Sequence, residues 1–315
     1  MSGERIVSGS EERGFSPHES RLELEECLDH VFCGDACQVL ARLPEQSVQC
    51  LVTSPPYFGH RVYTQHENPQ EIGRETAVTD YIERLIRCLS QARQVLRDDG
   101  TLWLNLGDTY RKGVLQGVPW RVALRLCGLG WVLRSDIIWQ KPNAMPSSVT
   151  TRPTPDHEYL FLFSKAGKYY YDADAIREPH VTFSENSKMR GGRRHFGLRD
   201  GTPEQGKNAG NMNLHHARWD QAFHPKGRNK RTVWPVPLGK CREAHFAVFP
   251  EKLIEPCILA GCPRKGVVLD PFLGSGTTGM VAKRLGRHFV GIELEPEYVE
   301  LARRRIGSVQ PELPW

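Results

Sequence analysis

Two short stretches of this chain hold residue types that could do chemistry. The first, Thr53-Ser54-Pro55-Pro56-Tyr57, directly follows the apolar pair Leu51-Val52. Two successive prolines fix φ twice and remove two N–H groups, giving a rigid turn at a strand end. Such a turn presents a carbonyl, a hydroxyl and an aromatic face together, although a plain proline-rich turn has the same sequence. The second stretch is Asp270-Pro271-Phe272-Leu273-Gly274-Ser275-Gly276-Thr277-Thr278-Gly279, and an acid, Glu293, stands nineteen residues after Gly274. It contains G-x-G-x-x-G, in which glycine lets a ligand approach the backbone and the distal acid can accept hydrogen bonds from ribose hydroxyls. Nucleotide or nucleoside binding is therefore expected there; a glycine turn that only packs a helix on a sheet is the alternative.

Both stretches need a scaffold, and the hydropathy pattern supplies one. Val31–Phe32 and Cys50–Thr53 read as short buried strands. From Asp80 to Leu96 the apolar residues Ile82, Leu85, Ile86, Leu89, Ala92, Val95 and Leu96 recur at helical spacing, with Asp80 and Glu83 set like a capping box. Thr101–Leu106 predicts a strand, Pro119–Leu126 a helix, and Trp131–Trp139 and Glu158–Phe163 two further strands. After an interruption come a helix at Pro250–Leu259, a strand at Gly266–Asp270, a helix at Thr277–Leu285, a strand at His288–Leu294 and a helix at Pro296–Ile306. Strands alternating with helices predict an α/β fold of the doubly wound kind, a mostly parallel sheet with helices on both faces.

The interruption is chemically distinct. Residues 181–240 hold twelve Lys and Arg against four Asp and Glu, while the whole chain carries only +5. A solvated basic loop and a footprint for a polyanion both fit that composition. Apolar runs such as Tyr159–Phe163 are far too short to span a bilayer. The polar N-terminus has no apolar h-region, so no secretory leader is expected. Nine cysteines form no C-x-x-C pair, which suits reduced thiols in a cytoplasm better than disulfides or a zinc site, and no metal is expected.

Taken together, the two motifs resemble those of the amino-group DNA methyltransferases, which join an S-adenosylmethionine site to a (Ser/Asn/Asp)-Pro-Pro-(Tyr/Phe/Trp) loop. The resemblance runs from about Asp29 to Arg305, and its order, catalytic loop first and cofactor loop near the C-terminus, is similar to the permuted beta group. Supporting stretches are Gly34-Asp35, Ile138-Trp139-Gln140-Lys141-Pro142-Asn143, Asp156–Phe163 and His245–Leu253. The resemblance implies a Rossmann-like methyltransferase fold in four stretches: a flexible tail over 1–26, a catalytic part over 27–180, a basic target-recognition insert over 181–240, and a cofactor-binding part over 241–315.

As for roles, the resemblance makes Ser54, Pro55, Pro56 and Tyr57 catalytic, with the Ser54 hydroxyl and Pro55 carbonyl accepting protons of the target amine and Tyr57 stacking on the flipped base. It assigns S-adenosyl-L-methionine to Asp35, Thr53, Phe249, Pro250, Asp270, Pro271, Phe272, Gly274, Gly276, Thr277, Thr278 and Glu293, the two threonines serving either the cofactor or the helix start. Arg190, Arg193, Arg194, Arg199, Lys226, Arg228, Lys230 and Arg231 are the expected DNA contacts. The Thr-Ser-Pro-Pro-Tyr form resembles cytosine-N4 enzymes; an adenine-N6 enzyme is the alternative, ahead of a protein-amine methyltransferase or an NAD-dependent oxidoreductase. Double-stranded DNA is the implied partner, in a restriction–modification setting in the prokaryotic cytoplasm or nucleoid; a cognate endonuclease and a homodimer remain open. Pro256-Cys257 matches the nucleophile of carbon-5 enzymes only superficially, and Cys257 reads as a packed helical residue. His157 and Glu158 read as structural.

Overall fold

The structure, a computed structural model, describes residues 21–59, 71–179, 226–239 and 249–311. In chain order it runs α1 (Leu24–Cys27), β1 (His30–Cys33), α2 (Ala36–Leu40), β2 (Val48–Thr53), α3 (Val78–Val95), β3 (Leu96–Leu106), β4 (Tyr110–Arg111), β5 (Val114–Leu115), α4 (Val118–Cys127), β6 (Val132–Gln140) and β7 (His157–Ser164). There follow a 3₁₀ turn at Asp174–Ile176, β8 (Val233–Pro235), α5 (Glu251–Gly261), β9 (Val267–Asp270), α6 (Thr277–Arg284), β10 (His288–Glu293) and α7 (Pro296–Gly307).

Eight strands form one sheet in the order β1-β10-β9-β2-β3-β7-β6-β8. Only the pairings of β7, with β3 and with β6, are antiparallel, so β7 runs against the other seven. Alternation along the strands feeds two cores. Leu51, Leu102, Leu104, Leu269 and Ile292 face α2, α3 and α4, whereas Cys50, Val52, Trp103 and Val268 face α5, α6 and α7. Helix α3 begins at Val78 behind Ala77, with no side-chain cap, so the expected Asp80 capping box is not its start.

The connections create the site. From β9 the chain crosses through α6 to β10, and from β2 it crosses through α3 to β3 on the opposite face. Neighbouring strands whose chains depart in opposite directions leave a crevice at their carboxyl ends. That crevice lies between the ends of β2 and β9, where both sequence motifs begin.

One boundary moves. Residues 226–239 were expected inside the basic insert, but β8 joins the main sheet, with Trp139 beside Trp234 in register. Trp139 Nε1 donates to the Val236 carbonyl at 2.7 Å, and Trp234 is buried. Burying that indole on the sheet draws the stretch into the α/β body. The tail of residues 1–20 and most of the insert, 180–225, lie outside the described residues.

Candidate active site

At the crevice, Asp270 closes β9 with its carboxylate fully buried. Thr53 Oγ1 and Thr278 Oγ1 each donate to it at 2.6 Å, and the Phe272 amide donates at 3.0 Å. Burial pushes its pKa up to about 6, against these three hydrogen bonds, which lower it. Asp270 thus clamps the end of β2 to the glycine loop. Thr53, Asp270 and Thr278, expected to touch the cofactor, bond to one another and brace the two loops. Gly276 has φ +89°, and an added Cβ would stand 3.0 Å from Ala302 of α7, so its missing side chain admits that helix. Pro250 caps α5 and lies off the cleft wall, whereas Phe249 lies on it.

The cleft itself has a volume of about 470 Å³. Asp35, Pro271, Phe272, Gly274, Thr277 and Glu293 line one end, together with Gly34, Ile292 and Leu294. A Cβ on Gly274 would meet nothing within 4 Å, so the backbone there is open to a ligand. Thr277 Oγ1 is buried with no hydrogen-bond partner among the described residues. Glu293 accepts from the Gly274 amide at 2.8 Å and the Glu295 amide at 2.9 Å, and burial pushes its pKa up to about 7. Asp35 caps α2 by accepting from the Gln38 amide at 3.0 Å.

At the other end lie Ser54, Pro55, Pro56 and Tyr57, all four on the cleft wall. Tyr81 Oη donates to the Pro56 carbonyl at 3.0 Å and fixes the turn from below. The Tyr57 ring lies over Gly107, whose Cβ, were there one, would sit 2.6 Å from Cε2. Its hydroxyl accepts from Ser54 Oγ (3.3 Å) and Asn105 Nδ2 (2.6 Å) and donates to Glu158 Oε2 (2.6 Å). Asn105 Nδ2 also reaches Glu158 Oε2 at 2.9 Å, and Lys141 pairs with the other Glu158 oxygen. Burial, and then the Glu158 charge, raise the Tyr57 pKa well above the usual phenol value, so the hydroxyl keeps its proton.

The sequence reading did not single out Asn105, named Lys141 only within a supporting stretch, and read Glu158 as structural; all three meet at the loop. A signal existed for Asn105: an amide inside the apolar run Leu102–Leu106 must find partners once buried. Its Oδ1 has no hydrogen-bond partner among the described residues, although the residue is 1% exposed and borders the cleft. His157 borders the cleft too, with Nδ1 turned to Asp156 at 3.4 Å. Cys257 is a packed helical cysteine whose thiol donates to the Leu253 carbonyl, as expected.

Of the expected DNA contacts, Arg190, Arg193, Arg194 and Arg199 lie outside the described residues. Arg228 and Lys230 both pair with Glu178, and Lys226 with Asp174. These three basic groups are engaged within the chain, while Arg231 is exposed. Among the described residues no cluster of His, Cys, Asp and Glu could hold a metal ion, and no helix is long and apolar enough to cross a membrane.

This arrangement has counterparts. Residues 48–304 match the N6/N4 methyltransferase family, described as DNA methylase. The chain is 42% identical to the type II methyltransferase M.Cfr9I of Citrobacter freundii, over 88% of this chain and 87% of that protein. It is 38% identical to the type II methyltransferase M.SmaI of Serratia marcescens, over 92% and 98%. Among solved structures it is similar to the PvuII DNA methyltransferase (cytosine-N4-specific), with a TM-score of 0.63 and 21% identity over 90% of this chain and 87% of that one. It is also similar to a DNA modification methylase of Thermus thermophilus complexed with S-adenosyl-L-methionine, with a TM-score of 0.54 and 26% identity over 88% and 94%.

Proposed function

The chain belongs to the N6/N4 DNA methylase family, and on that premise we propose that it methylates the exocyclic N4 amine of a flipped cytosine in duplex DNA, as the modification enzyme of a restriction–modification pair. The observation that carries this reading is one cleft with two unlike ends. A proline-rigid Ser54 and the orphaned Asn105 Oδ1 lie at one, and an acid with an open glycine backbone at the other.

S-adenosyl-L-methionine fits the second end. Glu293 offers carboxylate oxygens to ribose hydroxyls, Gly274 admits close approach, and the Thr277 hydroxyl has no hydrogen-bond partner among the described residues. When bound, this group supplies an electrophilic methyl on a sulfonium. The chain's own residues then have to make a poor nucleophile competent, since the cytosine amine delocalises its lone pair into the ring. Acceptors aimed at its two protons favour the pyramidal nitrogen that attack requires. Ser54 Oγ, the Pro55 carbonyl and Asn105 Oδ1 are such acceptors, fixed before the base arrives, and they act by positioning and electrostatic stabilisation. The target atom is out of reach inside a duplex, so the base must leave the stack. Tyr57, held over Gly107 and by its hydroxyl, offers it a ring whose orientation is already set.

The Ser54 form of the loop supports cytosine over adenine. The test is transfer of labelled methyl to unmodified DNA, followed by digestion to nucleosides and mass analysis. N4-methylcytosine is expected. N6-methyladenine alone would reverse the base assignment and leave the loop assignment standing.

A further inference from the structure

Glu158 reaches the catalytic loop from β7, with its side chain 12% exposed. Its Oε2 accepts from Tyr57 Oη at 2.6 Å, and Tyr57 Oη in turn accepts from Ser54 Oγ at 3.3 Å. The donors are therefore ordered in one direction, from the cleft through the phenol to the carboxylate. From this order we infer that Ser54, Tyr57 and Glu158 form a proton relay that carries the proton lost by the target amine out to Glu158. The inference rests on the reading of the cleft as an amine-methylating site.

The step balances without an added reagent. As the new N–C bond forms and the S–C bond breaks, nitrogen gains positive charge and one N–H bond breaks, its electron pair staying on nitrogen. That proton bonds to Ser54 Oγ, the Ser54 proton passes to Tyr57 Oη, and the Tyr57 proton passes to Glu158 Oε2. The methylated amine ends neutral, and Glu158 ends as the carboxylic acid. Lys141 holds the other Glu158 oxygen, and the Glu158 side chain is 12% exposed, so the accepted proton leaves from the carboxylic acid to water at the cleft edge. Asn105 Nδ2 lies within hydrogen-bond distance of all three oxygens, at 3.3, 2.6 and 2.9 Å, and its two N–H groups keep them in line. Tyr57 is suited to pass a proton, because burial and the adjoining carboxylate disfavour its anion.

A merely structural role, pinning the ring of Tyr57, makes different predictions. Tyr57→Phe retains the ring over Gly107 and removes only the hydroxyl; Glu158→Gln retains the shape and removes the basic carboxylate. Single-turnover methylation of unmodified duplex DNA, at saturating cofactor, should slow on the order of 10²-fold in each. The double variant should be no slower than the slower single one, because both break one chain. The wild-type rate should fall in heavy water because protons move along the chain during transfer, and Glu158→Gln should lose most of that solvent isotope effect. Calorimetry should find cofactor affinity unchanged in both single variants. A Tyr57→Phe enzyme of wild-type rate, additive losses, or a solvent isotope effect that survives Glu158→Gln would each overturn the relay. A wild-type enzyme that transfers no methyl to DNA would instead overturn the reading of the site, and the relay with it.

Discussion

Cofactor affinity should depend on the protonation of Glu293, and the structure sets the scale. Burial raises this carboxyl to about pH 7 even though two amides donate to it. Ribose hydroxyls need an acceptor, so the ionised form is the one that binds. Below its folded pKa the group is mostly protonated, and each pH unit downward weakens binding about tenfold. Between about pH 7.5 and pH 5.5 the Kd for S-adenosylmethionine should therefore rise roughly 25-fold. Glu293→Gln should bind more weakly at the upper pH, by about 1.5–3 kcal/mol for a lost charge-assisted hydrogen bond. More tellingly, its Kd should be nearly flat over the same window. Asp270 also titrates, at about 6, but its oxygens are taken by Thr53, Thr278 and the Phe272 amide. The Glu293→Gln titration isolates any contribution from it. Isothermal calorimetry with the cofactor and with its demethylated product would give both curves. A wild-type Kd that moves less than about threefold, or a Glu293→Gln variant with the wild-type slope, would refute the assignment of Glu293 as the ribose acceptor.

Gly276→Ala should lower stability by about 1–3 kcal/mol, read as a shift in the denaturation midpoint, because it combines a left-handed φ with a Cβ pressed on Ala302. Gly107→Ala should instead cut the single-turnover rate while sparing cofactor affinity, since its Cβ would displace the pinned ring of Tyr57. Asp270, native pKa about 6 and unfolded near 3.8, binds more protons folded than unfolded, so wild type loses stability as pH rises through that window. The deficit of Asp270→Asn should shrink by something like 3 kcal/mol across it, measured as urea midpoints. Arg231→Ala should reduce the log–log salt slope of DNA binding by about one, whereas Lys230→Ala should leave it nearly unchanged because Lys230 is already paired with Glu178.

Strands and helices were legible because each core face repeats its own apolar spacing. Strand direction was not, since periodicity is the same either way, and so β7 gave no sign of running against its neighbours. Three residues, Val233–Pro235, sit in a charge-rich window too short for a pattern, and only the pairing with β6 reveals them as a strand. The Pro-Pro turn and the glycine loop could be read locally because their chemistry is written in adjacent residues, and Glu293 from its spacing after that loop. Glu158 and Asn105 could not, because their partners lie far off in the chain, 101 residues away for the bond between Glu158 and Tyr57. At Gly276 the fingerprint spacing could be read, but not the contact with α7 that its missing side chain allows.

The Glu178–Arg228 bridge bears on how such enzymes diversify. Each residue's amide donates to the other's carbonyl, at 2.9 and 2.8 Å, so the two ends of the intervening stretch are held side by side. Lengthening a flexible loop costs little, about 0.6 kcal/mol per doubling. A recognition cassette of another size, cut between Pro179 and Lys226, should therefore transplant onto this stem. The condition is that Gly227 be kept, where a Cβ would strike the Glu178 carbonyl oxygen at 2.3 Å.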